Sequence, residues 1–130
     1  KQKMQERHLY EYAVIRIVPK VEREEFVNVG IVLFCKKSNY LKSMCRLDIA
    51  KLQCFSNDLD IEQIKNYLSA FEKINNGDET GGPIAKMDVP SRFRWLTAVR
   101  SSVLQTSRPH PGFSNDLDAT LGRLFNELVV

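Results

Sequence analysis

The segment Glu25–Lys37, EEFVNVGIVLFCK, constrains the fold of this chain more than any other stretch. It has the apolar pattern of a β-strand, but Asn28 and Gly30 stand where a plain core strand would carry Val or Ile. Glycine inside a strand weakens it, so it usually marks a bulge or a place where another backbone or a ligand comes close. The segment therefore predicts the central strand of the domain, the floor of a site, or both.

Two further strands accompany this segment. Tyr10–Val18 is rich in β-branched and aromatic residues and ends at Pro19, which cannot donate to a ladder. The polar turn Lys20–Glu25 follows it, and a break at Ser38–Asn39 leads into a third strand, Tyr40–Leu47. Short connections between three successive strands predict an antiparallel meander.

Alternation along these strands divides their side chains between two faces. One set is uniformly apolar and is expected to pack beneath helices. Its members are Ala13, Ile15, Ile17, Val27, Val29, Ile31, Leu33 and Cys35. The other set mixes aromatic and apolar side chains with Arg16, Asn28 and Gly30. We favour a half-solvated sheet face as its explanation, although a binding face would show the same pattern.

Two amphipathic helices are also predicted. Apolar residues recur at helical spacing over Ile61–Ile74, with Asp60 placed to cap the N-terminus, and again over Leu117–Leu128. The same hexapeptide, FSNDLD, introduces both helices. We interpret it as a repeated capping solution rather than as a trace of duplication.

The region between the two helices is less regular. It reads as a surface loop at Asn75–Pro83, a short strand at Ile84–Val89, a short helix capped by Ser91, and a fourth strand at Ser101–Ser107. Runs of strands followed by helices predict an α+β domain. We expect an antiparallel sheet of about four strands with the two main helices on one face.

Composition bounds the class of protein. The chain has 130 residues, of which 43% are hydrophobic and 27% charged, as in a single globular domain. We assign residues 1–8 to a charged tail and residues 9–130 to the domain. The longest apolar run, Val29–Cys35, is too short to span a bilayer, and no signal-type segment follows the charged start. We therefore expect a cytoplasmic protein without membrane association.

No motif for a metal or cofactor is present. Cys35, Cys45 and Cys54 are odd in number and match no zinc-binding spacing, so reduced thiols are expected. The chain also lacks a P-loop, a dinucleotide-binding glycine pattern and a nucleophile elbow. We therefore predict neither a cofactor nor a metal site.

Two segments contain no acidic residue. Residues 26–47 and residues 92–115 each carry four Lys or Arg residues, although the net charge of the chain is only +3. If both segments border one sheet face, they form a basic patch with aromatic side chains nearby. Such a patch suits nucleic acid or another phosphate ligand, which is the alternative function.

The second of these segments holds the only tryptophan of the chain. Trp95 can anchor a short helix to the core, with Arg92, Arg94 and Arg100 projecting around it. Trp and Arg are also the residues most enriched in interface hot spots. This segment therefore indicates an interaction surface as well as a structural anchor.

His110 is the one candidate for acid–base catalysis. It stands between Pro109 and Pro111, which predicts a rigid loop just before a helix, and Asp116 or Glu25 could orient its ring. A hydrolase-type enzyme is therefore a third hypothesis. We favour a structural role, because one histidine without a recognisable nucleophile is a weak signal.

Four pieces of the chain, taken in order, resemble a known family. They are YAVIRIVP, EEFVNVGIVLF, RFRWLTAVRSSVLQTS and HPGFSNDLDATLGRLFNELV. Their order resembles the small bacterial family catalogued as domain of unknown function 3037, from about Tyr10 to Val129. The chain departs from that pattern at Pro111, where Ser or Thr is typical, and at Leu117, where Pro often opens the last helix. The departure at Pro111 puts a hydroxyl-dependent role for that loop in doubt.

The resemblance implies particular polar positions and a partner. The positions are Glu25, Asn28, Gly30, Arg100, Ser101, Gln105, His110, Gly112 and Asp116. Members of the family are often encoded beside kinases similar to the HipA-type toxin kinases, which implies a partner or regulator of such a kinase.

Together these observations predict a non-enzymatic interaction or regulatory module with a protein partner. Its arginines would meet acidic or phosphate groups, while Asn28 and Gln105 would supply oriented hydrogen bonds. The predicted binding residues are Arg16, Glu25, Asn28, Gly30, Trp95, Arg100, Ser101, Gln105, His110 and Asp116.

Overall fold

The chain folds into one sheet with helices on both sides. The computed structural model describes residues 7–20, 25–56, 58–100 and 102–130. The strands are β1 His8–Lys20, β2 Glu25–Cys35, β3 Tyr40–Cys45, β4 Leu104–Thr106 and β5 His110–Ser114. The helices are α1 Ile49–Phe55, α2 Ile61–Asn76, α3 Val89–Leu96 and α4 Leu117–Leu128, with short 3-10 turns at Glu79–Gly81 and Ile84–Lys86.

The sheet is open and antiparallel throughout. Its strand order is β3-β2-β1-β4, and β5 also pairs with β1. The α+β class and the N-terminal meander are therefore confirmed, with five strands in place of about four. The polar turn predicted at Lys20–Glu25 falls mostly on residues 21–24, which lie outside the described residues.

Strands β4 and β5 follow one another along the same edge of β1. The short β4 faces Ile15–Ile17 and β5 faces His8–Tyr12. Between them the hydroxyl of Ser107 accepts a hydrogen bond from the Val14 N–H at 2.9 Å, and the Ser107 N–H donates to the Val14 carbonyl at 2.8 Å. Ser107 thus maintains the connection to β1 where the edge strand is interrupted.

Strand β5 corrects the prediction of a rigid loop around His110. Pro111 lies opposite Glu11 in this strand. Proline is tolerated there because an edge strand does not need the missing N–H for a second neighbour. The alternating prolines led us to expect a loop, whereas the backbone is extended and paired.

Two other local predictions are wrong in detail. Residues expected to form a strand at Ile84–Val89 instead form a 3-10 turn and the start of α3. The cap of α3 is Asp88, whose carboxylate accepts from the Ser91 N–H at 3.0 Å, rather than Ser91 itself. Pro90 lies in the first turn, where its missing N–H has no helical partner to lose.

The helices pack on opposite faces of the sheet, which corrects the expectation that both main helices share one face. On one face, Ala13, Ile15 and Ile17 pack in a cluster with α2 and α3. On the other face, Tyr10 and Val14 pack with α4. The face predicted to be half-solvated is therefore covered by α4 over part of its length.

A β-bulge in β2 explains why the predicted faces were mixed. Ile15 pairs with Gly30 but Arg16 pairs with Asn28, so Val29 is an extra residue in β2. An extra residue shifts the alternation of side chains by one position. The residues that follow, Ile31, Leu33 and Cys35, consequently pack under α4, whereas Val27 and Val29 pack with α2 and α3.

The repeated FSNDLD segments begin alike and end differently. In both copies the serine hydroxyl accepts from the N–H of the Asp two residues later, at 3.3 Å for Ser56 and 3.0 Å for Ser114. The helix cap is the last Asp in the first copy, Asp60, but the earlier Asp in the second copy, Asp116. The capping interpretation is confirmed, with the two helices starting at different positions of the repeat.

Candidate functional site

The predicted binding residues separate into three groups. Arg16, Asn28 and Gln105 lie together on the α4 face of the sheet, because Arg16 pairs with both of the others. Trp95 and Arg100 lie together beside α2 and α3. His110 lies at the other end of β1, opposite Tyr12.

We call Arg16, Asn28 and Gln105 the polar row. Directly paired residues in an antiparallel sheet point to the same face, so the three side chains cross β2, β1 and β4 in line. The amide of Asn28 donates through Nδ2 to the Leu128 carbonyl of α4 at 2.9 Å. The polar row therefore begins where the last turn of α4 ends.

Two atoms of the polar row are buried without a hydrogen-bond partner. They are Arg16 Nε, which is a donor, and Asn28 Oδ1, which is an acceptor. The hydrogen bond to the Leu128 carbonyl identifies the donating atom of the Asn28 amide as Nδ2 and the other atom as Oδ1. An unsatisfied buried polar group costs about 1–3 kcal/mol, so two of them on directly paired residues require an explanation.

Similar atoms occur elsewhere, in Asn75, Arg92 and Thr106. Asn75 and Arg92 each make another hydrogen bond, to Asn76 and to the Met87 carbonyl. In the described residues, Arg16 and Asn28 are the two such residues that are direct partners in the sheet. This opposition of donor and acceptor distinguishes the polar row.

The guanidinium of Arg16 is held against an aromatic ring. Its central carbon lies 4.1 Å from the centroid of Phe26, a cation–π distance. Burial lowers the pKa of Arg16 below its ordinary value. Phe26 remains 45% exposed, so one side of this stack is open to a ligand.

A cavity of about 190 Å³ adjoins Asn28 at the end of the sheet. Its lining includes Arg46 and Lys51, which are exposed, and Asp48. The carboxylate of Asp48 accepts from the Lys51 N–H at 3.0 Å and caps α1. Two basic side chains and one carboxylate therefore lie beside Asn28.

Gly30 allows β3 to approach β2 closely. A Cβ atom there would lie 2.6 Å from the Met44 carbonyl oxygen and 2.8 Å from Cys45 Sγ. The prediction that Gly30 marks a bulge or a close approach is confirmed, since both occur. Burial is the main reason that the pKa of Cys45 rises to about 12, so this thiol stays protonated near neutral pH.

Trp95 and Arg100 form a separate pair. The guanidinium carbon of Arg100 lies 3.8 Å from the Trp95 ring centroid, and Arg100 Nη2 donates to the Trp95 carbonyl. Arg100 and Gln105 both border a small cavity of about 20 Å³ at β4. The Trp95–Arg100 pair thus approaches the polar row at that strand.

The groups proposed for acid–base chemistry do not come together. The exposed ring of His110 lies 5.3 Å from that of Tyr12, and within the described residues it makes no hydrogen bond or ion pair with a carboxylate. Asp116 caps α4 through the Ala119 N–H, and Glu25 pairs with Lys20 at the start of β2. Ser101 lies outside the described residues.

The two acid-free segments meet at one place. Lys36 and Arg94 border a cavity of about 360 Å³ together with Phe34 and Phe93, but Glu11 also borders it. Lys42 is taken up by an ion pair of 3.0 Å with Asp118. Lys36 of the first segment and Arg94 of the second therefore border the same cavity, whereas Arg46 lies beside Asn28.

Within the described ranges, no group of three or more His, Cys, Asp or Glu side chains is arranged to hold a metal ion. None of the helices in the part of the chain that the structure describes is long and apolar enough to cross a membrane.

Sequence analysis did not select Phe26, Arg46 or Lys51 as binding residues. Phe26 carries a usable signal, because it precedes Asn28 by two positions and so shares its face. Arg46 and Lys51 carry no such signal. They reach Asn28 only because β3 ends and α1 begins beside β2.

Comparisons with known proteins give one match. The sequence model of the family described as Protein of unknown function (DUF3037) matches residues 12–129, which include the polar row and the Trp95–Arg100 pair. No curated protein and no solved structure matches the chain. Because the match covers most of the chain, this protein belongs to the DUF3037 family, as its sequence motifs had predicted.

Proposed function

We propose that this domain is a non-enzymatic binding module that recognises an acidic peptide segment of a protein partner through the polar row. The observation that carries the proposal is that two directly paired residues each have an unsatisfied atom, Arg16 Nε and Asn28 Oδ1. An unpaired donor and an unpaired acceptor on neighbouring residues are complementary to a ligand that offers both kinds of group.

A peptide offers both. Its backbone N–H can donate to Asn28 Oδ1 while an acidic side chain or a carbonyl accepts from Arg16. A fully ionised phosphate offers acceptors only, so it would leave Asn28 Oδ1 without a partner. Arg46 and Lys51 beside Asn28 favour an acidic sequence.

The family resemblance suggests which partner to test. A HipA-type kinase is the candidate, since such kinases are often encoded beside members of the family. An interaction with such a kinase would place the domain in the cytoplasm. The domain would then act as a regulatory partner, with its own contribution limited to binding.

The test is a selection of phage-displayed random peptides on the immobilised protein. We expect peptides rich in Asp and Glu to be enriched, and their affinity to fall at least about tenfold in Arg16→Met, because a charge-assisted hydrogen bond is lost. Arg108→Met is the matched control, since Arg108 is exposed and lies outside the polar row. Its affinity should equal that of the wild type.

Two results would contradict the proposal. One is the absence of any enriched sequence class on the folded protein. The other is enrichment of peptides that bind Arg16→Met and Arg108→Met equally well. A purified HipA-type kinase from the same host serves as a second ligand, with the same pair of variants.

A second candidate function is binding of nucleic acid or another phosphate ligand through residues 26–47 and 92–115. It is favoured by one observation, that Lys36 and Arg94 border the same cavity beside two aromatic rings. The test is fluorescence anisotropy with a labelled single-stranded oligonucleotide at increasing salt. Binding that weakens steeply with salt supports this function, and a flat response or no binding removes it.

A further inference from the structure

A mainly apolar cavity lies on the opposite face from the polar row. Its volume is about 400 Å³. One wall comes from α2, with Tyr67, Ala70 and Phe71, and another from Trp95 and Leu96 of α3 and Leu104 of β4. A volume of this size and an apolar lining are usual for small-molecule sites.

One cation borders this otherwise apolar cavity. Arg100 is half-buried and is fixed in place by Trp95, over whose ring its guanidinium lies. In the described part of the chain, no carboxylate lies within ion-pair distance of Arg100. The positive charge of Arg100 is therefore not neutralised by an ion pair with any described residue.

The cavity walls are also open to a ligand. Tyr67 and Trp95 are each 39% exposed, although both are large and line the cavity. Apolar walls of this kind bind water weakly, because an ordered water molecule needs several polar partners. Polar atoms at the lining come from the Tyr67 hydroxyl, the Trp95 N–H, Arg100 and Ser102, and the Ser102 hydroxyl already donates to the Leu104 carbonyl at 2.6 Å.

We propose that this cavity binds a small amphipathic carboxylate, with the apolar chain between α2 and α3 and the carboxylate on Arg100. The carboxylate supplies the missing counter-charge and accepts from guanidinium N–H groups that Trp95 does not use. The apolar chain covers the exposed parts of Tyr67 and Trp95. This site is independent of the polar row, so either proposal can fail without the other.

The test uses the only tryptophan of the chain as its reporter. Because Trp95 lines the cavity, its fluorescence should change in a saturable way as octanoate is added. 1-Octanol is the matched ligand, since it has the same chain length and no charge. We expect octanoate to bind about tenfold more tightly than octanol, as for one charge-assisted hydrogen bond.

Variants then test the two halves of the site. Arg100→Met should reduce octanoate binding to the level of octanol, whereas Arg94→Met, an exposed arginine of α3 that does not line the cavity, should leave it unchanged. Ala70→Leu should weaken both ligands by filling the cavity. Ser69→Leu adds the same side chain next to it, outside the cavity lining, and should have no effect.

Several outcomes would overturn the proposal. They are the absence of a saturable change with either ligand, equal affinity for octanol and octanoate, and binding that survives Ala70→Leu in a variant with wild-type circular dichroism. If the fluorescence change instead accompanies dimer formation, as detected by light scattering, the cavity would be assigned to contacts with a second copy of the chain. A change produced only by the selected peptides would assign it to a partner's side chain.

Discussion

A methyl group at Gly30 would lie 2.6 Å from the carbonyl oxygen of Met44, a contact that real Cβ atoms do not make. Gly30→Ala should therefore lower the free energy of unfolding by about 2 kcal/mol, as overpacking does in a close-packed interior. Gly122 is the matched control, because nothing lies within 4 Å of its added Cβ. Gly122→Ala in α4 should raise the free energy of unfolding by up to about 1 kcal/mol through helix propensity.

Urea unfolding of the two variants measures both effects. The account of the bulge would be wrong if Gly30→Ala were as stable as the wild type. It would also be wrong if both substitutions shifted the midpoint in the same direction by similar amounts.

The composition of the polar row was predicted residue by residue, but its geometry was not. A regular ladder with Ile15 opposite Gly30 would place Arg16 opposite Val29, and the extra residue in β2 places it opposite Asn28 instead. The sequence indicates that Gly30 belongs to a bulge or a close contact. The sequence does not show in which direction the register between β1 and β2 shifts, because that depends on contacts with β3.

At the scale of elements, the edge strand β5 was the main omission. Pro109 and Pro111 flank His110, and such a pattern usually predicts a loop. Pairing with β1 overrides it, and Tyr10 packs over Gly112, where an added Cβ would lie 2.4 Å from the Tyr10 hydroxyl. Long-range pairing of this kind leaves no local signal in the chain.

Asp118 of α4 makes polar contacts with β3. Its carboxylate accepts from the Tyr40 hydroxyl at 2.7 Å and from Lys42 Nζ at 3.0 Å. These hydrogen bonds, first from Tyr40 and then from Lys42, lower the pKa of Asp118 below its ordinary value of 3.8. A lowered folded-state pKa stabilises the protein above the unfolded value and loses that contribution as pH falls through the folded value.

Asp118→Asn should therefore be less stable than the wild type at neutral pH, and the difference should shrink as pH falls below about 4. The difference is small because Asp118 is exposed. Tyr40→Phe removes the largest cause of the shift and should show part of the same pH dependence. The thermal midpoints of the variants and the wild type, measured at a series of acidic pH values, test this prediction. A difference in midpoint that stays constant down to the lowest pH would contradict it.

At the scale of the whole molecule, the sheet separates two candidate sites. The polar row lies beyond the end of α4 on one face, and the apolar cavity lies between α2 and α3 on the other. The sequence predicted the three residues of the polar row, and Trp95 and Arg100 of the cavity, as parts of one surface. Their separation follows from α4 packing opposite to α2, which periodicity within each helix does not specify.

The central claim is that Arg16 is kept for binding rather than for folding, and the unfolding free energy of Arg16→Met tests it most directly. Methionine keeps the apolar stem and a sulfur contact with Phe26 while removing the unsatisfied Nε. Arg92→Met is the internal standard, since Arg92 Nη1 donates to the Met87 carbonyl at 3.0 Å and serves the fold.

By urea denaturation at neutral pH, we predict that Arg16→Met has an unfolding free energy equal to that of the wild type, or higher by about 1 kcal/mol. Arg92→Met should be less stable than the wild type by about 1 kcal/mol or more. A loss of more than about 1 kcal/mol in Arg16→Met would show that Arg16 is structural, and would contradict the account of the polar row as a binding site.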